Sequence, residues 1–548
     1  MSRKGAAVLI VSSMLCSFTV IVVEIAPNAS AYTPHDPLVI AGDEDFAAQA
    51  ASEGWPGNGT EGNPYVIEGY EITRSIHHNC IDITSTKVHF IIKDSKIVGN
   101  QGTHNIFFNN IRNGQLDNCI IEGGGLGIYV WAGRKNTITN NTLIDNNLLL
   151  YNTGECTLIG NEFSEAGIEL RGIFPEDWNS HYIDSSNTIN GKPVYYWKEY
   201  VGGTVPSGAG QIILANCTHT IVENQELTNG SGGIILGYCS NIFIQGNTIH
   251  SNNEVGVELW RSSDNTIADN IISSNKQGIK FQHSNNNTIQ SNKLISNGLG
   301  IWVTSSSGNY IFANIASSNS IGIEIRSWGE HLISMDNTIL NNTVINNLGK
   351  GISIDGSDEN TIKNNIAINN SAGIYLSSSS KNSIIGNIAI DNGCGIQLTE
   401  FSDKNRVEGN NLSSNHYGTY LKLSCNNIIH HNNLINNTTQ LYREDSYNSW
   451  DDGEGEGNYW SNYTGLDDGS GGRTAGDGVG DTELPHEDVD DYPLMEPVDI
   501  AEYGESDFDD DTITDFKIRT VSLILAFSIL FIIIFVVIFL VMKRDNKR

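Results

Sequence analysis

Positive charge is scarce in this chain. Its 548 residues carry 31 Lys and Arg against 63 Asp and Glu, a formal charge of -32, and only 17% of residues are charged at all. So acidic a surface repels phosphate backbones, which excludes nucleic acid as a partner. Cysteine is sparse too. Of eight, Cys16 lies in an N-terminal apolar stretch, and the odd seven that remain argue against a disulfide framework. Cys217 and Cys239, one repeat apart, are expected as stacked thiols, because strand spacing of about 4.8 Å is wide for a disulfide. Long apolar runs are confined to the two ends. Ala6 to Val23 follows Arg3 and Lys4 and leads to Ala29, Ser30 and Ala31, the pattern of a secretory signal peptide over residues 1–31. Val521 to Met542 is free of charge and would span about 33 Å as a helix. Lys543, Arg544, Lys547 and Arg548 follow, so the tail 543–548 is expected in the cytoplasm and the bulk outside, in a single-pass cell-membrane protein.

What fills the middle is a repeat. Gly233, Gly256, Gly278, Gly300, Gly322, Gly351, Gly373 and Gly395 each precede a β-branched residue at spacings of 23, 22, 22, 22, 29, 22 and 22. So steady a period marks one unit stacked on itself. Within it lie three short alternating runs, as in Gly256 to Trp260, Asn265 to Ile267 and Asn270 to Ile272, parted by Asn, Ser and Gly. Three strands per turn predict an all-β, right-handed parallel β-helix of roughly fifteen turns, followed by the C-terminal transmembrane helix. Asn265, Asn287, Asn309, Asn337, Asn360, Asn382, Asn405 and Asn427 recur once per turn, which predicts an amide ladder at one corner, where Asn tolerates left-handed backbone.

The expected organisation is a signal peptide at 1–31, an N-terminal cap at 32–64 and the β-helix at 65–441 with an excursion at 172–210. An Asp/Gly-rich region at 442–499, an acidic stalk at 500–520, the transmembrane helix at 521–542 and the tail follow. From Glu444 to Asp515 there are 24 acidic residues and one basic residue, Arg473. Asn-x-Ser/Thr triplets such as those at Asn58, Asn286 and Asn341 make the outer part a candidate glycoprotein.

After each glycine the second and fourth residues point outward. That gives one face bearing Trp131, Glu258, Trp260, Lys280, Trp302, Glu324, Arg326 and Asp355, with the corner loop residues Trp328 and His331 beside it. Aromatic rings interleaved with charges suit a polysaccharide or the glycans of glycoproteins, so Trp131, Glu258, Trp260, Trp302, Glu324, Arg326, Trp328 and His331 are candidate ligand-binding residues. Trp260 and Trp302 are two turns apart, about 10 Å at strand spacing, close to the length of a disaccharide. Exposed aromatics also serve as plain cross-strand pairs. Glu324, Arg326 and Asp355 are the candidate catalytic groups if the chain is a polysaccharide lyase or hydrolase, although charges on successive turns also form simple surface ion pairs. No cofactor is required by this reading. Asp467, Asp468, Asp477 and Asp481, on Asp/Gly turns, are candidate calcium ligands. His77, His78, Cys80, His89 and His104 are a looser candidate set for copper or zinc, with no compact ligand spacing.

The repeats, with Gly54 to Thr60, Asn63 to Gly69, Asn190 to Tyr196, Ala209 to Leu214, Gly457 to Ser461, Gly476 to Asp481 and Asp491 to Met495, resemble archaeal surface proteins of the NosD-like family. These are also described as parallel β-helix repeat or carbohydrate-binding and sugar-hydrolysis domains. The resemblance covers roughly residues 35–497. It implies the fold and a surface location, and it adds a copper accessory protein to the alternatives of glycan binder, lyase or hydrolase, and structural or adhesion rod. The chain lacks the Gly-His-Gly and Asn-Thr-Asp of polygalacturonases and the Trp-Ile-Asp-His of pectate lyases. Tyr32 to Asp36 resembles part of an alginate epimerase motif, but its place just after the signal peptide is expected to lie off the coil.

Overall fold

The computed structural model describes residues 32–503 except 74–78, 101, 103, 328 and 330–332. The expected signal peptide and transmembrane segment lie outside the described residues. Among the described residues, no helix is long and apolar enough to cross a membrane.

Each turn supplies a six-residue strand on a first face, such as Gln277–Gln282, and two three-residue strands on second and third faces, here Thr288–Gln290 and Lys293–Ile295. Such short runs are stable only when stacked. Each pairs in parallel with its counterpart one turn on, through Ile279 with Ile301, Ile289 with Ile311 and Leu294 with Ala316. The result is a right-handed parallel β-solenoid of about 18 turns. Ile279, Phe281, Ile289 and Leu294 fill the interior of one turn and are fully buried.

The glycine beat has a steric cause. A Cβ on Gly256 would sit 2.6 Å from the carbonyl oxygen of Gly278 in the next turn, so any side chain would push the coils apart. Asparagine forms three ladders, not the single one expected. Besides Asn265, Asn287 and their successors, Asn270, Asn292 and Asn314 stack between the second and third faces, and Asn275, Asn297 and Asn319 between the third and first. The backbone N–H and the Nδ2 of Asn265 both donate to Oδ1 of Asn287, at 2.9 and 3.0 Å. The left-handed residues are the ones just before the ladder, Asp264, Asp269 and Ser274, with φ of 59, 56 and 55°. Asn is therefore chosen here for hydrogen-bond accounting in a buried corner, not for its backbone tolerance.

The coil is not one rod. Six first-face strands, from Leu38–Ala41 to Ile168–Arg171, form a first coil, and a second runs from Lys192–Lys198 to Thr439–Glu444. Between them the excursion holds the short helix Glu176–Asn179 and a hairpin, Thr188–Ile189 turning back antiparallel onto Lys192 and Pro193. The open end of coil one rests on the outer surface of coil two. Ile213, Ala215 and Ile235 point outward from coil two and join the core of Ile168, Leu170 and Ile189, while Ile212, Leu214 and Ile234 face coil two's own interior. Gln211 mimics a strand there: it accepts from the N–H of Ile168 (3.1 Å) and donates to its carbonyl (2.9 Å). The Trp178 ring covers Gly237, where a Cβ would collide with it.

Winding begins earlier than expected. Thr33–His35 and Leu38–Ala41 pair with Tyr70–Thr73 and Ile81–Thr84, so Tyr32 to Asp36 overlaps a strand of the first turn and does not lie off the coil. The helix Gly42–Glu53 plugs that end with Phe46, stacked 5.3 Å from Tyr65. At the other end Tyr459–Trp460 adds a strand, and Trp450 and Trp460 close the core at 5.7 Å. Cys217 and Cys239 are buried free thiols on adjacent turns.

Removing one rung tests the ladder. Asn314→Ala leaves the N–H of Asn292 buried without a partner and takes a side-chain hydrogen bond from the carbonyl of Ile289. It is expected to cost about 2 kcal/mol or more in urea unfolding, against about 0.5 for the exposed Lys293→Ala.

Candidate functional site

The outward residues of coil two form two rows fixed by strand register. Glu258, Lys280, Trp302, Glu324, Ser353, Tyr375, Gln397, Tyr420 and Tyr442 make one, and Trp260, Gln282, Thr304, Arg326 and Asp355 begin the other. Coil one carries matching rows, with Tyr129 and Glu169 in one and Trp131, Tyr151 and Arg171 in the other.

The two sets converge where the coils meet. Arg171 pairs with Glu258, which is only 1% exposed, and Nζ of Lys280 reaches the same Glu258 oxygen at 3.1 Å. Burial alone would raise the Glu258 carboxyl, but the two cations outweigh it and hold it below the ordinary value. Glu169, 3.6 Å from Arg171, goes the other way: its burial exceeds the help of that guanidinium. This charged knot is the floor of an inner corner. Tyr151 and Trp131 lead up one wall on coil one, and Lys280, Trp302 and Glu324 lead along the other on coil two.

Sequence reasoning placed all the candidates outward, and the structure divides them. Glu258 is closed off beneath coil one, so its predicted role in ligand contact is corrected to a structural ion pair. Trp260 packs against the coil-one core and lies edge-on to His283 at 5.5 Å. Trp302 stays on the open face, with the Lys280 ammonium 5.5 Å from its ring centroid. Trp131 is 42% exposed on the opposite wall. Glu324 is 7% exposed, and its carboxyl is raised by burial first, then by Asp355, against the pull of Arg326. Arg326 Nε bonds Asp355 at 3.2 Å. Trp328 and His331 lie outside the described residues.

Farther along, Lys350 sits 3.9 Å over the Tyr375 ring, and Tyr420 stacks on Tyr442 at 4.5 Å. The open face thus carries rings at one-, two- and three-turn intervals, with amide and carboxyl groups between them.

The proposed calcium ligands form no open cage. Asp467 accepts from the N–H groups of Gly476 and Gly478, Asp468 from Ser470, Asp477 from Val479 and Asp481 from Gly469, so these carboxylates hold tight turns. His77 and His78 lie outside the described residues, and Cys80, His89 and His104 share no ligand cluster among those described. The structure instead gathers metal-type ligands at Glu408, His430 and His431, and at His431, Asp452 and Glu456. The signal in the sequence was the adjacent His pair at a corner that other turns fill with Asp, Ser, Ala, Asn or Gly.

The fold and this lateral face define a parallel β-helix with an open, aromatic and charged side. The family described as periplasmic copper-binding protein (NosD) matches residues 197–333 and 328–465, which is coil two with the start of its C-terminal closure. Over those residues the chain is similar to that family, and its own architecture is a parallel β-helix of stacked repeats. No curated protein matches its sequence. Among solved structures it is similar to the periplasmic alginate epimerase AlgG at 14% identity, over 74% of this chain and 82% of that one, with a TM-score of 0.29. The Azotobacter vinelandii mannuronan C-5 epimerase AlgE4 A-module aligns at 13% over 74% and 93%, with a TM-score of 0.30. Bacteriophage CBA120 tailspike protein 3 aligns at 10% over 73% and 57%, with a TM-score of 0.25. At such scores these likenesses carry no argument about function.

Two measurements follow from the corner. Arg171→Met leaves the buried Glu258 with one cation, Lys280, in place of two and removes the cation beside Glu169, and it is expected to destabilise the junction by about 3 kcal/mol in chemical unfolding, while Arg171→Met with Glu258→Met recovers part of that. For Glu324 the folded state holds the proton more tightly than the unfolded, so its contribution is full at acid pH and is lost as pH rises through the raised value. Glu324→Gln should therefore melt with the parent at pH 3.5 and increasingly above it toward pH 8.

Proposed function

We propose that this chain binds an extended glycan, a polysaccharide or the glycan of a glycoprotein, along the open first face of coil two and into the inner corner. The observation that carries the reading is the register row Lys280, Trp302, Glu324, Ser353, Tyr375, Gln397, Tyr420 and Tyr442. Trp302 to Tyr375 is three turns and Tyr375 to Tyr420 two, about 14 and 10 Å at strand spacing, so rings recur at intervals suited to sugar units of a polymer. Between them Glu324 and Gln397 offer hydrogen-bond partners to hydroxyls, while Ser353 is fully buried. Opposite them, Trp131 and Tyr151 supply a second wall, which turns a flat sheet into a concave site, the form in which binding surfaces desolvate ligands best. The protein works outside the cell, delivered by its signal peptide and held by Val521 to Met542.

Binding to an array of polysaccharides and glycoprotein glycans tests this. Trp302→Ala and Tyr375→Ala are each expected to weaken the bound glycan about tenfold or more. Phe243→Ala, an exposed ring on the second face, should leave it unchanged. Absence of binding to any glycan, or an equal loss in Phe243→Ala, sinks the reading. Shortening of a bound oligosaccharide that disappears in Glu324→Gln would make it a processing enzyme instead.

A further inference from the structure

We propose that Glu408, His430 and His431 form a binding site for a late first-row divalent cation, Cu2+ or Zn2+, near the end of coil two. This goes beyond the glycan reading and uses the second face, not the first.

Glu408 and His430 are register partners on adjacent strands, Arg406–Glu408 and Ile428–His430, and both point away from the interior. His431 is the corner residue that follows, with φ of 54° and its N–H bonded to the Gly457 carbonyl at 2.6 Å, a turn that brings its ring beside that of His430. Ligand atoms of the three side chains lie within 4.8 Å of one another. The two Nδ1 atoms are 3.1 Å apart. Two imidazole nitrogens bound to one ion at about 2.0–2.1 Å in tetrahedral geometry stand about 3.3 Å apart, so the pair is already near coordination distance.

The surroundings fix the tautomer that this needs. Nε2 of His431 lies 3.0 Å from the Glu456 carboxylate, which accepts a proton-bearing nitrogen and so leaves the Nδ1 lone pair toward His430. The loop that presents Glu456 is itself held, because Asp452 accepts from the N–H groups of Glu454, Gly455 and Glu456 at 2.8 to 3.0 Å. Arg406 engages Oε2 of Glu408 and leaves its other oxygen for the ion. The Tyr503 ring, 6.1 Å from that of His431 and packed over Gly409, walls one side. Two imidazoles and one carboxylate select copper or zinc over calcium or magnesium, which prefer all-oxygen shells, and they leave a fourth position for water or a second ligand.

Titration calorimetry of the chelator-stripped full chain with CuCl2 and with ZnCl2, in glycine buffer to mask weak carboxylate sites, reads the proposal. One tight equivalent is expected for at least one of the two ions. It should weaken about 100-fold or more in His430→Ala with His431→Ala, and about tenfold in Glu408→Gln. His416→Ala should leave it unchanged. Because the double variant can disturb the corner, circular dichroism checks its fold, and electron paramagnetic resonance of the Cu2+ form of the parent should show coupling to two nitrogens. The absence of a tight equivalent for either ion, its retention in the folded double variant, or its loss in His77→Ala with His78→Ala instead would overturn the assignment.

Discussion

Parallel strands one turn apart must close to about 4.8 Å all the way around the coil, and every other feature answers to that spacing. It forbids a Cβ at Gly256, whose neighbour is the carbonyl oxygen of Gly278. It also brings like side chains into register once per turn. At a buried corner that is tolerable only for a group that donates and accepts along the stack, which is what the amide of Asn287 does between Asn265 and Asn309. The ladders and the glycines are two solutions to one packing problem. The ladders satisfy polar groups at the corners, and the glycines remove bulk where backbone meets backbone.

A coil built in this way can be lengthened, but its ends stay open. The two outer ends are plugged by Phe46 and by Trp450 with Trp460. The remaining end of coil one has no plug of its own and uses the outer surface of coil two. That choice buries coil-two strands on both sides around Ile213 and Ile235, and it needs a charged knot at the rim. Arg171 and Lys280 together answer Glu258, because a carboxylate buried there without cations would be far too costly. The same docking sets a lateral face of coil one against a lateral face of coil two, so the corner flanked by Tyr151 and Trp302 is a by-product of closing an end. The His430 and His431 cluster stands apart from it, beside the C-terminal closure, where Asp452 and Glu456 come in from outside the repeat.

Much of this was readable from the chain. The spacing of Gly233 to Gly395, the inward placing of Val257 and Leu259 and the stacking of Cys217 on Cys239 all follow from a local period, and a local period survives any arrangement of the whole. Other clues were present but spoke against the repeat. Ile213, Ala215 and Ile235 are apolar at positions that elsewhere read Glu, Lys or Tyr, and only a second body covering them makes sense of that. The three Asn ladders were equally visible in sequence as Asn270 and Asn275 and their successors, yet they look redundant until each corner is seen to be buried.

By itself, then, the sequence determined the coil, its inward and outward residues and the aromatic character of one face, because those depend on neighbours one turn away. The tertiary structure alone decided that Glu258 is a buried counter-ion while Trp302 stays open, that coil one stands on coil two, and that His431 faces His430 with Glu456 behind it. Arg171 and Glu258 are 87 residues apart, and no repeat period links them. Contacts between separate coils are set by the shapes of finished surfaces, and a pattern of period 22 carries no record of them.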